Sequence, residues 1–176
     1  MNLENDSAPG ASVRPRLATD IEEAARVLVE VHATDGYPVE GVDAPEEWLT
    51  PSGAIQSWVA ELDGRIVGHV TISNPQDEGA ISLWSQTAKH DDVAVLGRLF
   101  VLRSARGQAI GKRLIKIATE FACRNNQRLV LDVMAKDASA IRLYEALGWR
   151  RIGRVEHDGG GGNRFEAFCY VSPPCP

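Results

Sequence analysis

Seven of the nine residues from Val93 to Val101 are apolar, and after a short turn Ile110, Leu114, Ile117 and Phe121 recur at helical spacing. A nearly continuous apolar run reads as a strand buried on both faces. The spacing that follows reads as an amphipathic helix of about four turns. A strand covered on both sides that feeds a helix places the chain in the mixed α/β class, with a layered core.

The rest of the chain supplies the other layers. Val13–Ala18 is expected as a short first strand. Thr19-Asp20-Ile21-Glu22 has the form of a capping box ahead of a helix carrying Ile21, Ala25, Leu28 and His32. Asp43-Ala44-Pro45-Glu46 opens a second, shorter helix, because proline is tolerated in a first turn. Ile55–Leu62 and Arg65–Ser73 flank Asp63-Gly64, a strong hairpin signal. Ala80–Trp84 is expected as a further strand, and Arg128–Met134 as another. Asp137 caps a helix with Ala140, Ile141, Tyr144 and Leu147, which Gly148 stops. Trp149–Glu156 and Arg164–Val171 form a last hairpin around a glycine run. Residues 1–12 read as a disordered arm and 13–176 as a single domain, a central mixed sheet flanked by about four helices.

At 176 residues the chain has room for one ordinary core. No apolar run approaches the ~20 residues of a membrane span, and Met1–Asp6 lack the basic and apolar parts of a secretory signal. Cys123, Cys169 and Cys175 are odd in number and show no C-x-x-C spacing. From that, neither a disulfide framework nor a zinc site is expected, and a reducing cytoplasm is the default location. A net charge of −5 argues against nucleic acid as a partner.

Charge is unevenly spread. Val93–Thr119 has six basic residues (Arg98, Arg103, Arg106, Lys112, Arg113, Lys116) and no acid, whereas Thr19–Glu47 has nine acids against Arg26 alone. The basic island suggests one anionic ligand held locally; solvated helix faces are the plainer reading. Within the island, Arg106-Gly107-Gln108-Ala109-Ile110-Gly111 joins the buried strand to the amphipathic helix. Small residues at 107, 109 and 111 let a ligand approach the backbone, and free amides at the helix start suit a pyrophosphate. Lys112 and Arg113 oppose the helix dipole in the first turn, a placement that an anion would relieve. Neither G-x-G-x-x-G nor G-x-x-x-x-G-K-[ST] is present.

Leu99-Phe100-Val101 followed by Arg106-Gly107-Gln108-Ala109-Ile110-Gly111 resembles the acetyl-coenzyme A signature of the GNAT superfamily of N-acetyltransferases, [QR]-x-x-G-x-[GA]. Asp137-Ala138-Ser139-Ala140-Ile141-Arg142-Leu143-Tyr144, continuing to Gly148-Trp149, is similar to the second motif, N-x-x-A-x-x-L-Y-x-x-x-G-F, and to the ribosomal-protein-alanine acetyltransferase branch in particular. The resemblance covers residues 13–171. Ala109 stands where glycine is usual, Asp137 where Asn is usual, and Trp149 where Phe is usual.

The resemblance implies a GNAT-like fold and acetyl transfer from acetyl-CoA, as cosubstrate and without a metal, to a primary amine through a tetrahedral intermediate. It implies that the cofactor is held by the backbone of Leu99, Phe100 and Val101, by Arg106, Gly107, Gln108, Ala109, Ile110, Gly111 and Lys112, and by Asp137 and Tyr144. The amide of Leu99 or Val101 would serve the oxyanion. Tyr144 is expected as general acid near the cofactor sulfur, since a phenol stays a neutral donor at pH 7. Asp132, twelve residues earlier, is expected as general base at a position where the branch has Glu; a solvent-facing carboxylate is its plainer reading. His69 and His90 are alternatives by chemistry alone. The acidic run, bordering the acceptor side by resemblance, suggests a cationic acceptor, either a small molecule or a peptide N-terminus. A CoA-binding module without catalysis is the competing reading. The chain is expected as a monomer or a homodimer with no membrane partner.

Overall fold

The computed structural model describes residues 10–87, 92–159 and 161–176. In chain order the elements are β1 (Ser12–Pro15), α1 (Ile21–Asp35), α2 (Pro45–Leu49), β2 (Ala54–Leu62), β3 (Arg65–Ser73), α3 (Gly79–Ser85), β4 (Asp92–Val101), α4 (Ile110–Arg124), β5 (Gln127–Met134), α5 (Ala138–Ala146), β6 (Arg150–Asp158) and β7 (Arg164–Val171). The strands form one seven-stranded sheet in the order β1-β2-β3-β4-β5-β7-β6. Only β4 and β5 run parallel; the other neighbours are antiparallel.

Local chemistry sets most of these elements. Asp63 and Gly64 both take positive φ, 52° and 75°, the type I′ geometry that matches the twist of the flanking strands. The start of α1 differs from the expected capping box: Asp20, not Thr19, ties it down. The Asp20 carboxylate accepts the Leu17 N–H at 2.6 Å and pairs with Arg14 at 2.7 Å. Ser12, expected in the arm, is in β1, and buried Ala11 offers its carbonyl to Arg113.

The helices divide between the two faces of the sheet. Trp58 meets Phe121, and a Cβ at Gly68 would touch Leu114 and Ile110, so α4 lies on the face of Trp58 and Gly68. There α5 joins it, with Leu143 against Gly111. The opposite face carries α2, whose Trp48 lies 6.3 Å from Phe100, together with α1 and α3. Ala80 and Trp84 of α3 bury themselves against Val95, Val130, Cys169 and Val171.

Residues 80–84, expected as a strand, are thus a fifth helix. Its N-terminal amides are satisfied by a carboxylate from a distant strand, described below, so no local pattern announces it. The cysteines also depart from expectation, since Cys123 in α4 and Cys175 form a disulfide. The inference from cysteine usage to a reducing compartment therefore lapses. No helix among the described residues is long and apolar enough to cross a membrane.

Candidate active site

The parallel pairing of β4 and β5 runs only from Asp92↔Gln127 to Val95↔Val130. Beyond it β4 stays with β3, β5 stays with β7, and the sheet splits. Leu102 donates its N–H to Val67 of β3 at 2.7 Å. By strand alternation Phe100 also faces β3, while Leu99 and Val101 turn their N–H and C=O groups toward the open side of the split. An extended ligand could pair there as an added strand.

The start of α4 lies beside this edge. Among the described residues no hydrogen-bond acceptor stands opposite the amides of Gly107 to Lys112, and the first bond of the helix ladder runs from Arg113 to the Ala109 carbonyl at 3.0 Å. Gly107 has φ +84° and open space where a Cβ would stand, a cradle suited to a diphosphate. Ala109 is held in the left-handed region at φ 57°, a conformation that costs a non-glycine residue about 1 kcal/mol. Gly111 serves packing instead, because a Cβ there would stand 3.2 Å from Leu143.

Most of the basic island is neutralised from within. Arg103 and Arg106 both pair with Asp35 at the end of α1, Arg113 donates to the Ala11 carbonyl, and Lys116 lies 3.9 Å from Glu120. Burial would raise the Asp35 carboxyl, but Arg103 and Arg106 outweigh it and hold it below the usual range. The acidic run is similarly engaged: Glu23 accepts the Ile66 N–H, Glu40 the Trp48 indole N–H, and Asp20 Arg14. Glu30, Asp43, Glu46 and Glu47 of the same run stay exposed.

Tyr144 sits in α5 with its ring buried, 5.3 Å from Trp149 and 6.3 Å from Tyr170. Its hydroxyl has no hydrogen-bond partner among the described residues. Burial, reinforced by Asp137, raises the phenol above its usual range, so it keeps its proton at neutral pH. Asp137 precedes α5 but its side chain does not cap the helix, contrary to expectation. Burial raises its carboxyl too.

Asp132 is placed otherwise than the general-base expectation requires. It lies on the α3 face with Val130, while Leu131 and Val133 join the main core on the α4 face. Its oxygens accept the Gly79 N–H at 2.9 Å and the Ala80 N–H at 2.8 Å, and His157 Nε2 is 2.8 Å away. The carboxylate thus caps the α3 amides and bonds His157, and it is largely buried instead of solvent-facing.

His69 is also structural. Arg16 can only donate, so its 2.9 Å contact makes Nε2 the acceptor and leaves Nδ1–H to donate to the Arg98 carbonyl at 3.0 Å. The ring is fully buried and stacks on Phe100. Burial first, with the nearby arginines, lowers its pKa to about 4. It fastens a bulge in β4, where three steps from Gly97 to Phe100 oppose two from Thr71 to His69 and Arg98 takes φ 54°. His90 lies outside the described residues.

Tyr37 and Trp48 at the split carry no sequence signal, and the sequence marks Arg98 only as part of the basic island. Tyr37 and Trp48, from the α1–α2 connection and α2, meet edge to face at 5.7 Å. Arg98 lays its guanidinium over Trp48 at 5.1 Å and donates Nε–H to the Trp48 carbonyl at 2.5 Å. Burial raises the Tyr37 phenol, with Tyr144 and Glu40 adding to it, which puts Tyr37 in the same neighbourhood as Tyr144. Aromatics in an irregular connection have no periodicity to betray them.

The sequence model of the acetyltransferase (GNAT) family matches residues 21–149. An N-acetylaspartate synthetase of Danio rerio is 33% identical over 115 residues, 65% of this chain, and the chain spans only 36% of that relative. The uncharacterized N-acetyltransferase YjgM of Escherichia coli K12 is 30% identical over 157 residues, 84% of this chain and 87% of its own length. Among solved structures, Arabidopsis thaliana NAA60 in complex with acetyl-CoA superposes with a TM-score of 0.68 at 22% identity, covering 92% of this chain and 98% of that one. The ribosomal-protein-S18-alanine N-acetyltransferase of Escherichia coli gives 0.68 at 18% identity, covering 93% of each chain. At those identities the structures establish a shared fold.

Proposed function

The chain belongs to the acetyltransferase (GNAT) family, and from that premise we propose that it transfers the acetyl group of acetyl-CoA to a primary amine of a small molecule or peptide. The observation that carries this reading is the split between β4 and β5. It leaves the Leu99 and Val101 backbone groups open beside the unpartnered amides of Gly107–Lys112.

When bound, acetyl-CoA supplies a thioester activated toward an amine. The amides of Gly107–Lys112 would hold its diphosphate, with Lys112 adding charge and Arg106 shared with Asp35. Leu99 and Val101 would hydrogen-bond the pantetheine arm and polarise the acetyl carbonyl. Asp137, acceptor-only, would take an N–H of that arm. Tyr144, neutral and with its hydroxyl unpartnered, would donate a proton to the leaving sulfur. Asp132 is not assigned the role of base, because its oxygens are committed to α3 and His157. The amine enters from the side of Tyr37 and Trp48.

Calorimetry with coenzyme A and thiol release with a mixed amine library test the reading together. Binding accompanied by amine-dependent thiol release is expected. Binding with no release from any amine would make the chain a CoA-binding module, and no binding would remove the reading altogether.

A further inference from the structure

Arg98 differs from its neighbours in the basic island. Arg103, Arg106, Arg113 and Lys116 each have an internal partner, and Lys112 stands in solvent. Arg98 is half-buried, and among the described residues no carboxylate lies within ion-pair distance of it. Its one hydrogen bond spends Nε–H on the Trp48 carbonyl, and the indole face below it fixes the plane of the guanidinium. The terminal N–H groups are left as a preset, unfilled fork. Withdrawing a guanidinium from water without an anion is unfavourable, and a bidentate carboxylate is the group that best repays it.

The position of the fork matters as much as its vacancy. Arg98 directly precedes Leu99, whose amide faces the split, and the bulge fastened by His69 sets the turn between them. An anion on Arg98 would therefore lie within a side-chain length of the place where an amine must attack. Tyr37, Glu40 and Glu78 are the other groups that act on Arg98 electrostatically. Glu40 is held by Trp48 and Glu78 by the Gln76 N–H, so both stay near without pairing, on the side where an ammonium group would be welcome.

We propose that Arg98 receives the carboxylate of the acceptor. The acceptor is then a small amine with a carboxylate a few bonds from its nitrogen, an amino acid being the simplest case. Polyamines and aminoglycosides carry no carboxylate to fill the fork. This inference rests on the acetyl-transfer reading and narrows its substrate class.

The test compares matched pairs: amino acids against the amines that remain when the carboxylate is removed or amidated. Thiol release from acetyl-CoA is followed for the native chain, for Arg98→Gln and for Arg98→Lys, and coenzyme A binding is measured separately by calorimetry. The native chain is expected to prefer the acids by about 30-fold or more in kcat/KM. Arg98→Gln is expected to raise KM for the acids by a similar factor, and so to erase the preference for acids over their matched amines, while coenzyme A affinity is kept, with Arg98→Lys in between. Equal turnover of acids and matched amines by the native chain would overturn the proposal while leaving acetyl transfer intact. Thiol release from no amine at all would overturn both. Because the matched-pair comparison uses the native chain, the result stands even if a variant fails to fold.

Discussion

On the α4 face of the split sheet, Tyr144 carries a hydroxyl with no hydrogen-bond partner among the described residues; on the α3 face, Asp132 has its oxygens taken by two backbone amides and His157. Both residues flank the place where β4 and β5 part, and the family pattern expects both to handle protons. Their surroundings separate them. A buried polar group that the fold has already satisfied is doing structural duty, because leaving it bare would cost about 1–3 kcal/mol. A hydroxyl that the fold leaves unpaired at its surface, as at Tyr144, is free to meet a ligand.

Replacing Tyr144 by Phe should sharpen this contrast most. Turnover should fall about 10²- to 10⁴-fold while coenzyme A affinity stays nearly constant, checked by steady-state kinetics and calorimetry. Intact turnover would end the assignment of Tyr144 as the acid.

A second effect concerns His69, which like Asp132 is bonded on both sides. Its folded pKa, about 4, lies below the ordinary 6.5, so between those values the unfolded chain binds a proton that the folded chain does not. Stability conferred by the neutral ring is complete above pH 6.5 and declines as pH falls toward 4, by about 3 kcal/mol. Urea titrations across that range should reveal the slope, and a His69→Gln variant should lose it.

Asp132→Ala should act on stability instead of chemistry. Loss of the α3 cap and the His157 pair should cost about 2 kcal/mol in urea unfolding, with the pH profile of kcat keeping its shape. If Asp132→Asn instead cut kcat a hundredfold at unchanged stability, the two faces would exchange roles. The smallest effect belongs to Ala109→Gly: relieving φ 57° should add about 0.5–1 kcal/mol of stability without weakening coenzyme A binding.

What was legible in the chain beforehand was local. Asp63-Gly64 announced its hairpin because the turn needs two positive φ angles, and α4 announced itself through Ile110, Leu114 and neighbours that reach the core. The tyrosine and the glycine-bearing turn were visible because the family motif is contiguous. What stayed hidden was assembled from distant parts. Ala80–Trp84 is too short an apolar stretch to tell strand from helix, and the carboxylate that holds its first amides as a helix, Asp132, lies more than fifty residues on. Asp35 disarms two arginines 68 and 71 residues away. The partners of Asp132 stayed hidden for the same reason, since spacing to Tyr144 along the chain carries no information about which amides approach it from another element.

Joining Cys123 to Cys175 closes a covalent ring around β5, α5, β6 and β7, so Asp132 and Tyr144 both ride inside it. A protease that nicks the hairpin tip near Asn163 would open that ring without liberating a fragment. The two pieces would migrate as one on a non-reducing gel and part only when a thiol reductant is added.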